Sequence, residues 1–450
     1  RDRLRSRGLG DVYKRQVNGR VDGSSRFGGN NKYGFFPSGS VAWRISEEGF
    51  MEPVKAVISN LKLRTSYGFT GNTEIGVYES LATLGSNSWT IGNQLVSGFY
   101  PNRIPNPDLK WEKTGQFDIG FDLGLFNNRL RLTADYYYKK TTDLLYNVAI
   151  PSASGYDSML KNIGSVQNKG YELSIESDNL SGAFSWTTAF NISFNRNKVL
   201  ELGGETYKDV GTYDDHLNTS DIRRLIVGQP IGVFYGYRFD GIFQNEAECA
   251  QQTSSPSPIG VGLRRYKDLN GDGKIDATND REILGDANPK FFGGMTNTFA
   301  YKGFELNVFL QYSYGNKIFN YNAMELESPT GGQNVYQDLV NRWTPTNPSN
   351  EYQKATTNRN NIVSDRFIED GSFLKLKTVS LSYSFPKLNW KHLGGLRLYV
   401  TGQNLLTWTK YRGYDPEVSY RGASTLEAGE DFGGYPQART FMFGIKLDIK

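Results

Sequence analysis

The segment best equipped for binding chemistry is an aspartate-rich loop, DLNGDGKID, at residues 268–276. A calcium loop begins with side-chain oxygens at positions one, three and five, and a glycine at position six allows a sharp turn. A backbone carbonyl at position seven and a carboxylate at position nine follow. Here these positions are held by Asp268, Asn270, Asp272, Gly273, Lys274 and Asp276. The spacing therefore predicts a structural Ca²⁺ site with no catalytic role.

The end of this loop departs from the calcium pattern. Position twelve is Asn279 rather than glutamate, and the nearest carboxylate, Asp280, comes one residue late. We include Asp280 among the predicted ligands and expect the extra residue to weaken the site. The alternative is a Gly/Asn-rich turn that holds no ion.

Other binding and catalytic patterns are missing from the sequence. There is no G-x-S-x-G, H-E-x-x-H, G-x-x-x-x-G-K-[ST] or G-x-G-x-x-G motif, so we expect no enzyme. The two histidines, His216 and His392, are far apart and Cys249 is the only cysteine, which excludes a Cys/His zinc site. With 51 basic and 47 acidic residues, the net charge of +4 gives no reason to expect nucleic-acid binding.

Alternation of apolar and polar residues is the dominant local pattern, and it predicts long β-strands. Residues 117–125 alternate Phe, Ile, Phe, Leu and Leu with Asp and Gly, and 130–138 resume the pattern after Asn127-Asn128. Similar runs lie at 171–175, 184–194, 304–312 and 441–449. The phase changes between Leu376 and Val379, which predicts a β-bulge near Lys377-Thr378.

The connections between these runs differ sharply in length. Short or medium turns fall at 46–60, 126–128, 179–183, 302–303 and 386–395, whereas long polar stretches occupy 71–110, 141–167, 197–289, 316–370 and 409–437. Short turns on one side and long loops on the other are typical of outer-membrane barrels. We therefore predict an all-β fold, a membrane-spanning antiparallel β-barrel with about eleven strands in this chain. No run approaches the 18 apolar residues of a transmembrane helix, and a soluble β-sandwich is the alternative.

The first sixteen residues form a separate segment. Residues 1–16, RDRLRSRGLGDVYKRQ, are basic, lack an apolar core, and end in letters that resemble a translated sequencing adapter. We expect this segment to be non-native and residues 17–450 to be the carboxy-terminal part of a barrel whose signal peptide lies upstream. At the other end, Ile449-Lys450 lacks the terminal aromatic of many outer-membrane proteins, so we expect either that a residue or two follows Lys450 or that the assembly signal is read from Phe441 and Phe443.

Eight stretches, in order, resemble the SusC/RagA family of TonB-dependent outer-membrane transporters of Bacteroidetes. Besides the loop at Asp268, they are 31–49 (NKYGFFPSGSVAWRISEEG), 61–73 (LKLRTSYGFTGNT), 106–123 (NPDLKWEKTGQFDIGFDL), 227–245 (VGQPIGVFYGYRFDGIFQN), 288–310 (NPKFFGGMTNTFAYKGFELNVFL), 373–387 (FLKLKTVSLSYSFPK) and 396–418 (LRLYVTGQNLLTWTKYRGYDPEV). The resemblance runs from about residue 30 to the end of the chain.

That resemblance implies a 22-stranded barrel closed by an amino-terminal plug, a SusD-like surface lipoprotein over its mouth, and energy supplied through TonB. The plug and the TonB box are expected to lie outside this chain, which would then hold only part of the barrel. The implied function is import of an oligomeric nutrient across the cell outer membrane, with a glycan favoured over a peptide as the substrate. A passive porin or a surface adhesin without TonB coupling is the alternative.

Selectivity in such a transporter would come from side chains in the lumen and the loops. Aromatic residues in the long loops can stack on the apolar face of a sugar, or can simply pack the loops together. The candidates are Tyr100, Trp343, Tyr414 and Tyr435.

Overall fold

A computed structural model describes residues 13–156, 158–210, 222–328, 334–357, 361–385, 393–422, 424 and 426–449. Both histidines, His216 and His392, lie outside these ranges. So do residues 1–12 of the predicted adapter segment, most of the predicted turn at 386–395, and Lys450. The chain divides into two compact units, Arg1–Glu176 with Asn195–Thr206 and Ser177–Phe194 with Tyr207–Lys450.

The first unit is built from antiparallel strands. They are β1 (Tyr13–Gly23), β2 (Tyr33–Arg44), β3 (Ile58–Asn72), β4 (Thr83–Ile91), β5 (Gln94–Arg103), β6 (Glu112–Leu125), β7 (Leu130–Thr142), β8 (Leu145–Ala149), β9 (Ser158–Asn162) and β10 (Ser165–Leu180). The last four residues of β10 count with the second unit, and the last seven of the next strand, β11 (Phe184–Glu201), count with the first. Short 3₁₀ helices span Ile45–Glu47, Gly49–Val54 and Ser152–Ser154.

The second unit combines long strands with many short ones. They are β11 (Phe184–Glu201), β12 (Tyr207–Val210), β13 (Arg223–Ile226), β14 (Val233–Tyr237), β15 (Phe239–Ile242), β16 (Arg264–Tyr266), β17 (Arg281–Asp286), β18 (Phe291–Tyr301), β19 (Phe304–Tyr314), β20 (Lys317–Asn320), β21 (Ile368–Asp370), β22 (Phe373–Ser384), β23 (Leu393–Thr409), β24 (Glu430–Asp431) and β25 (Thr440–Ile449). Its helices are α1 (Glu246–Cys249), α2 (Tyr321–Leu326) and the 3₁₀ turns Gln337–Asn341 and Asp365–Phe367. None of the described helices is long and apolar enough to cross a membrane.

Twelve strands form one large sheet, in the order β1-β2-β3-β6-β7-β10-β11-β18-β19-β22-β23-β25. The sequence predicted about eleven, and the additional strand is β1. This strand was missed because it starts inside the segment set aside as adapter and because its charged residues do not alternate with apolar ones. Residues 13–16 pair in register with β2, but whether the first sixteen residues are natural stays a prediction.

The predicted bulge is confirmed at Lys377. The register of β22 shifts between Leu376 and Thr378 against β23, and between the same residues against β19. Against β19, Lys377 is the extra residue, whereas against β23 it stands opposite two residues, Asn404 and Leu405. The irregularity lets Leu376 and Val379 point to the same face despite their different parity.

One face of the long strands is apolar and exposed, as the alternation predicted. In β6 the side chains of Phe117, Ile119 and Phe121 are exposed, whereas Asp118 and Asp122 between them are half-buried. In β25 the whole series is exposed, namely Phe441, Phe443, Ile445, Leu447 and Ile449. Exposed apolar side chains on one strand face are what a hydrocarbon environment requires.

The long connections are folded, and here the expectation of polar loops was incomplete. The stretch 71–110 contains the β4–β5 hairpin, and 141–167 contains the β8–β9 hairpin. In the second unit, the described residues of segments 222–290, 315–372 and 410–439 form what we call the loop body. Its hydrophobic core consists of Ile222, Phe234, Phe319, Tyr321, Ala323, Met324, Val363 and Phe367.

Candidate functional site

A network of charged side chains occupies the polar face of β3, β6 and β7 in the first unit. Arg64 donates from Nε and Nη2 to the two carboxylate oxygens of Asp122, both at 3.0 Å. The same Nη2 lies 3.0 Å from Asp135 Oδ1, and Lys62 Nζ lies 3.6 Å from Asp122 Oδ2. Alternation brings these residues onto one face, opposite Phe121 and its apolar neighbours.

This face borders an open groove of about 660 Å³. Arg64, Ser66, Asp118 and Asp135 are among its lining residues. The groove offers charges of both signs and hydroxyl groups, and Ser66 Oγ donates to Asp118 Oδ2 at 3.3 Å. Such a surface can bind a polar solute and select among solutes.

The loop body is held together by buried ion pairs as well as by its core. Arg223 Nε donates to Glu430 Oε1 at 2.9 Å with both side chains buried, and Arg366 Nε donates to the buried Glu327 at 2.8 Å. Burial raises the pKa of the neighbouring Tyr266 to about 12. These long loops therefore form an ordered structure, which a site that must present fixed side chains requires.

A buried lysine fastens the last long loop to the polar face of β22. Lys375 Nζ lies 2.6 Å from both Asp415 Oδ1 and Glu417 Oε2. The bulged Lys377 joins it, with its Nζ 3.2 Å from the same Glu417 oxygen. Burial alone would raise the pKa of Asp415, but the hydrogen bond and charge of Lys375, together with backbone N–H donors of Glu417 and Gln437, lower that pKa. The sequence showed the bulge, but it did not show which carboxylates it would meet.

The aspartate-rich loop has the predicted turn. The carboxylate of Asp268 accepts hydrogen bonds from the backbone N–H groups of Gly271 (2.6 Å) and Gly273 (2.7 Å), and both glycines have φ +77°. Asp272 Oδ1 accepts from the N–H of Lys274 at 2.8 Å, and Asn270 Nδ2 donates to Asp272 Oδ2 at 3.1 Å. The first half of the loop is thus folded around Asp268.

The second half of the loop uses its carboxylates differently. Asp276 Oδ1 accepts from the N–H groups of Thr278 and Asn279, both at 2.8 Å. Asp280 is fully buried and accepts from the N–H groups of Leu269 and Asp276, each at 2.8 Å. Within the described ranges, no three His, Cys, Asp or Glu residues are placed to hold a metal ion. Calcium at this loop stays a prediction.

The four loop aromatics differ in their surroundings. Tyr414 and Tyr435 are largely exposed, and Tyr100 lies exposed on β5. Trp343 is half-buried and donates from Nε1 to Gln244 Oε1 at 3.0 Å, so it helps to pack the loop body.

Similarity to known proteins covers nearly the whole chain. A family model described as TonB dependent receptor-like, beta-barrel, matches residues 9–241. TonB-dependent receptor P3 of Formosa agariphila is 42% identical over 95% of this chain and 43% of its own length. TonB-dependent receptor SusC of Bacteroides thetaiotaomicron is 31% identical over 96% of this chain and 41% of its own. A solved structure of the RagAB peptide transporter superposes with a TM-score of 0.81, at 28% identity, over 97% of this chain and 46% of that one.

The chain therefore spans less than half the length of these relatives. Similarity of this extent confirms the predicted barrel fold, the outer-membrane location and the resemblance to SusC and RagA. Proteins of this kind are receptors and transporters, which confirms that the chain is not an enzyme. The chain belongs to the family of TonB-dependent receptor β-barrels.

Proposed function

We propose that the protein containing this chain imports an oligomeric nutrient across the outer membrane with energy supplied through TonB. The observation that carries the proposal is the 42% identity to a TonB-dependent receptor over 95% of the chain. The charged strand face around Arg64 supports it, because a lumen that conducts a polar solute must be polar. A SusD-like surface lipoprotein completes the transporter, as the resemblance to SusC suggests.

The proposed substrate is a glycan. Exposed loop aromatics such as Tyr414 and Tyr435 are suited to sugar rings. Peptide import is the second candidate, because the RagAB structure that this chain resembles is described as a peptide transporter.

Uptake by cells that carry the full-length natural gene tests the proposal. Fluorescent neutral oligosaccharides and fluorescent peptides of matched length are offered to cells with and without TonB. We expect saturable accumulation of oligosaccharides that disappears when TonB is deleted or the proton-motive force is collapsed. Accumulation that persists without TonB would indicate a passive pore, and accumulation of peptides alone would favour the second candidate.

Copurification tests the lipoprotein partner separately. The tagged full-length protein, extracted in mild detergent, should retain a lipoprotein encoded beside it. A barrel that purifies alone under conditions that preserve binding of its substrate would contradict the partnership.

Calcium in the aspartate-rich loop belongs to the same proposal, with a structural role. Asp268, Asn270 and Asp272 lie two residues apart in a turn that bends at glycines 271 and 273, so a small shift could bring their oxygens to one ion. Asp276 and the carbonyl of Lys274 would supply further ligands. Asp280 could bind the ion only by giving up its hydrogen bonds with backbone N–H groups.

Calorimetric titration of the full-length protein with Ca²⁺ is the test, repeated for Asp272→Ala. We expect weak binding, of the order of 10⁻⁴–10⁻³ M as in extracellular modules, that the substitution abolishes. Equal heats from both proteins, or no heat from either, would show that the loop is a turn that binds no calcium.

A further inference from the structure

The β4–β5 hairpin differs in composition from the rest of the chain. Its strands, Thr83–Ile91 and Gln94–Arg103, are joined by a two-residue turn in which Gly92 and Asn93 both have positive φ. Residues 80–102 contain no Asp, Glu, Lys or Arg, although 22% of the whole chain is charged. The absence of charge over 23 consecutive positions disfavours any ligand recognised through ion pairs.

Two aromatic rings pack against the backbone of this hairpin, each over a glycine of the opposite strand. A Cβ atom at Gly98 would stand 2.0 Å from the six-membered ring of Trp89, and one at Gly85 would stand 2.6 Å from the ring of Tyr100. Only glycine permits such close contact between ring and backbone, and this arrangement also compensates strand glycines for their missing side chains. Backbone contact on one ring face fixes the ring orientation, because the rings cannot tilt inward.

The outer faces of both rings are open to solvent. Trp89 is 45% exposed and Tyr100 is 42% exposed. Every residue from 84 to 102 is exposed except Gly85 and Gly98, which are partly buried, as expected where rings cover them. A ring with one face on the backbone and the other face free is a rigid stacking surface.

Both rings stand on the same side of the hairpin. Trp89 pairs with Val96 and Tyr100 pairs with Gly85, so alternation places all four positions on one face. Asn87, opposite Gly98, lies on that face between the two rings. The α-carbons of the two aromatic residues are four residues apart along the hairpin, or roughly 13 Å at ~3.3 Å per residue.

We propose that this face of the hairpin, defined by Trp89, Asn87 and Tyr100, is a binding platform for a neutral oligosaccharide. Flat aromatic surfaces match the apolar C–H faces of pyranose rings, and the Asn87 amide can exchange hydrogen bonds with their hydroxyl groups. Two rings with an amide between them on one face suit a chain of sugars rather than a single one. The proposal rests on the proposed import function, which it deepens by naming uncharged glycans as the ligand class.

The opposite face of the hairpin supplies a matched control. Phe99 lies next to Tyr100 in β5, is 75% exposed and points the other way, with Leu84 and Leu95 on its side. No glycine lies beneath it, because its partner across the pair is Ser86. Phe99→Ala therefore removes an aromatic that is more exposed than either platform ring, without touching the platform.

The test uses the purified full-length natural protein in detergent, without TonB or an energised membrane. An oligosaccharide array selects the tightest ligand among maltohexaose, cellohexaose, xylohexaose and hexagalacturonate, and titration calorimetry measures its affinity. A neutral hexasaccharide should bind, and Trp89→Ala or Tyr100→Ala should each weaken it about tenfold. Phe99→Ala should change the affinity less than about twofold. Gly98→Val, which keeps both aromatics but displaces the Trp89 ring, should weaken binding as Trp89→Ala does.

Three results would overturn the proposal. In the first, the protein binds no neutral hexasaccharide. In the second, Phe99→Ala weakens glycan binding as much as Trp89→Ala does. In the third, the protein prefers hexagalacturonate and Trp89→Ala leaves that preference unchanged. Loss of a copurifying lipoprotein in Trp89→Ala, with glycan affinity intact, would assign the platform to a protein partner instead. Binding is measured in detergent, without TonB or an energised membrane. Failure of TonB-dependent uptake would therefore contradict the import function without affecting the binding result.

Discussion

Removal of Arg223 should open the loop body while leaving the long strands folded. Its guanidinium carbon lies 4.2 Å from the centre of the Phe234 ring, and its Nε is 2.9 Å from Glu430 Oε1. It also donates to the carbonyl oxygens of Gly232 and Ala428. Arg223→Ala would leave the Glu430 carboxylate buried without its main partner. Loss of one member of a buried pair costs about 3–5 kcal/mol.

That cost predicts a large change in local hydrogen exchange. Because about 1.4 kcal/mol corresponds to a factor of ten, exchange governed by local opening should accelerate roughly 100- to 4,000-fold in β13 and β24. Exchange mass spectrometry on the full-length protein measures this. Replacing both charges, with Arg223→Met and Glu430→Met together, should restore most of the protection, since a hydrophobic pair can replace a buried ion pair.

The effect should depend on pH with a definite sign. Burial raises the pKa of Glu430 and the charge of Arg223 opposes that rise, so Arg223→Ala raises the pKa further. A carboxyl whose folded-state pKa is raised loses stability as pH rises through that value. The variant should therefore be most open near pH 8 and closest to the natural protein near pH 5.

An exposed ion pair provides the control for Arg223. Arg238 pairs with Glu282 at 2.5 Å and with Asp365 at 3.1 Å, but it is partly open to solvent, so Arg238→Ala should cost about 1 kcal/mol or less. Equal acceleration in Arg223→Ala and Arg238→Ala, or a larger effect at acid pH, would contradict the role assigned to the buried pair.

Three further predictions concern the bulge, the last loop and the aspartate-rich loop. Deletion of Lys377 should preserve the inward–outward alternation of side chains in β22 and allow the barrel to assemble. Deletion of Val379 should instead turn the following side chains of β22 to the opposite face. Heat-modifiable mobility in gels distinguishes the two variants. Lys375→Met leaves carboxylates of the last long loop without their buried partner, so protease should cut that loop faster; an unchanged cleavage rate would contradict the anchor. The pKa of Asp268 and that of Asp276 are lowered, mainly by backbone N–H donors, so the loop should be stable above the ordinary value of 3.8 and open as pH falls below it. Hydrogen-exchange rates at 268–280, corrected for their intrinsic pH dependence, measure this opening. Rates that stay constant between about pH 6 and pH 3 would contradict the predicted opening in acid.

The strands could be predicted because their information is local. Alternation around Phe117 and the phase change at Lys377 each depend on residues a few positions apart, and the structure confirms both. The turn at Asp268 was likewise readable, because Asp and Gly at short spacing specify an Asx-type bend. β1 was missed because backbone pairing with β2, rather than a pattern of side chains, forms that strand.

The loop body could not be predicted because its contacts join distant parts of the chain. Arg223 and Glu430 are 207 residues apart in sequence, and Lys375 meets Asp415 from a different strand and loop. A single sequence does not indicate which charges will pair across such distances. The β4–β5 hairpin was missed for another reason. Its serine, asparagine and glycine content resembles a loop, although the Gly92-Asn93 turn between Ile91 and Leu95 was a usable signal.

The long strands should cross a membrane with their apolar face in lipid, and every functional proposal above depends on this orientation. Spin labels on single cysteines in the full-length protein, with Cys249→Ser, test it in bilayers. Labels at Phe117, Ile119 and Phe121 should collide with oxygen dissolved in the hydrocarbon, and labels at Asp118 and Asp122 should collide with a water-soluble nickel complex. The reverse assignment, or equal access to both reagents at alternate positions, would contradict the account.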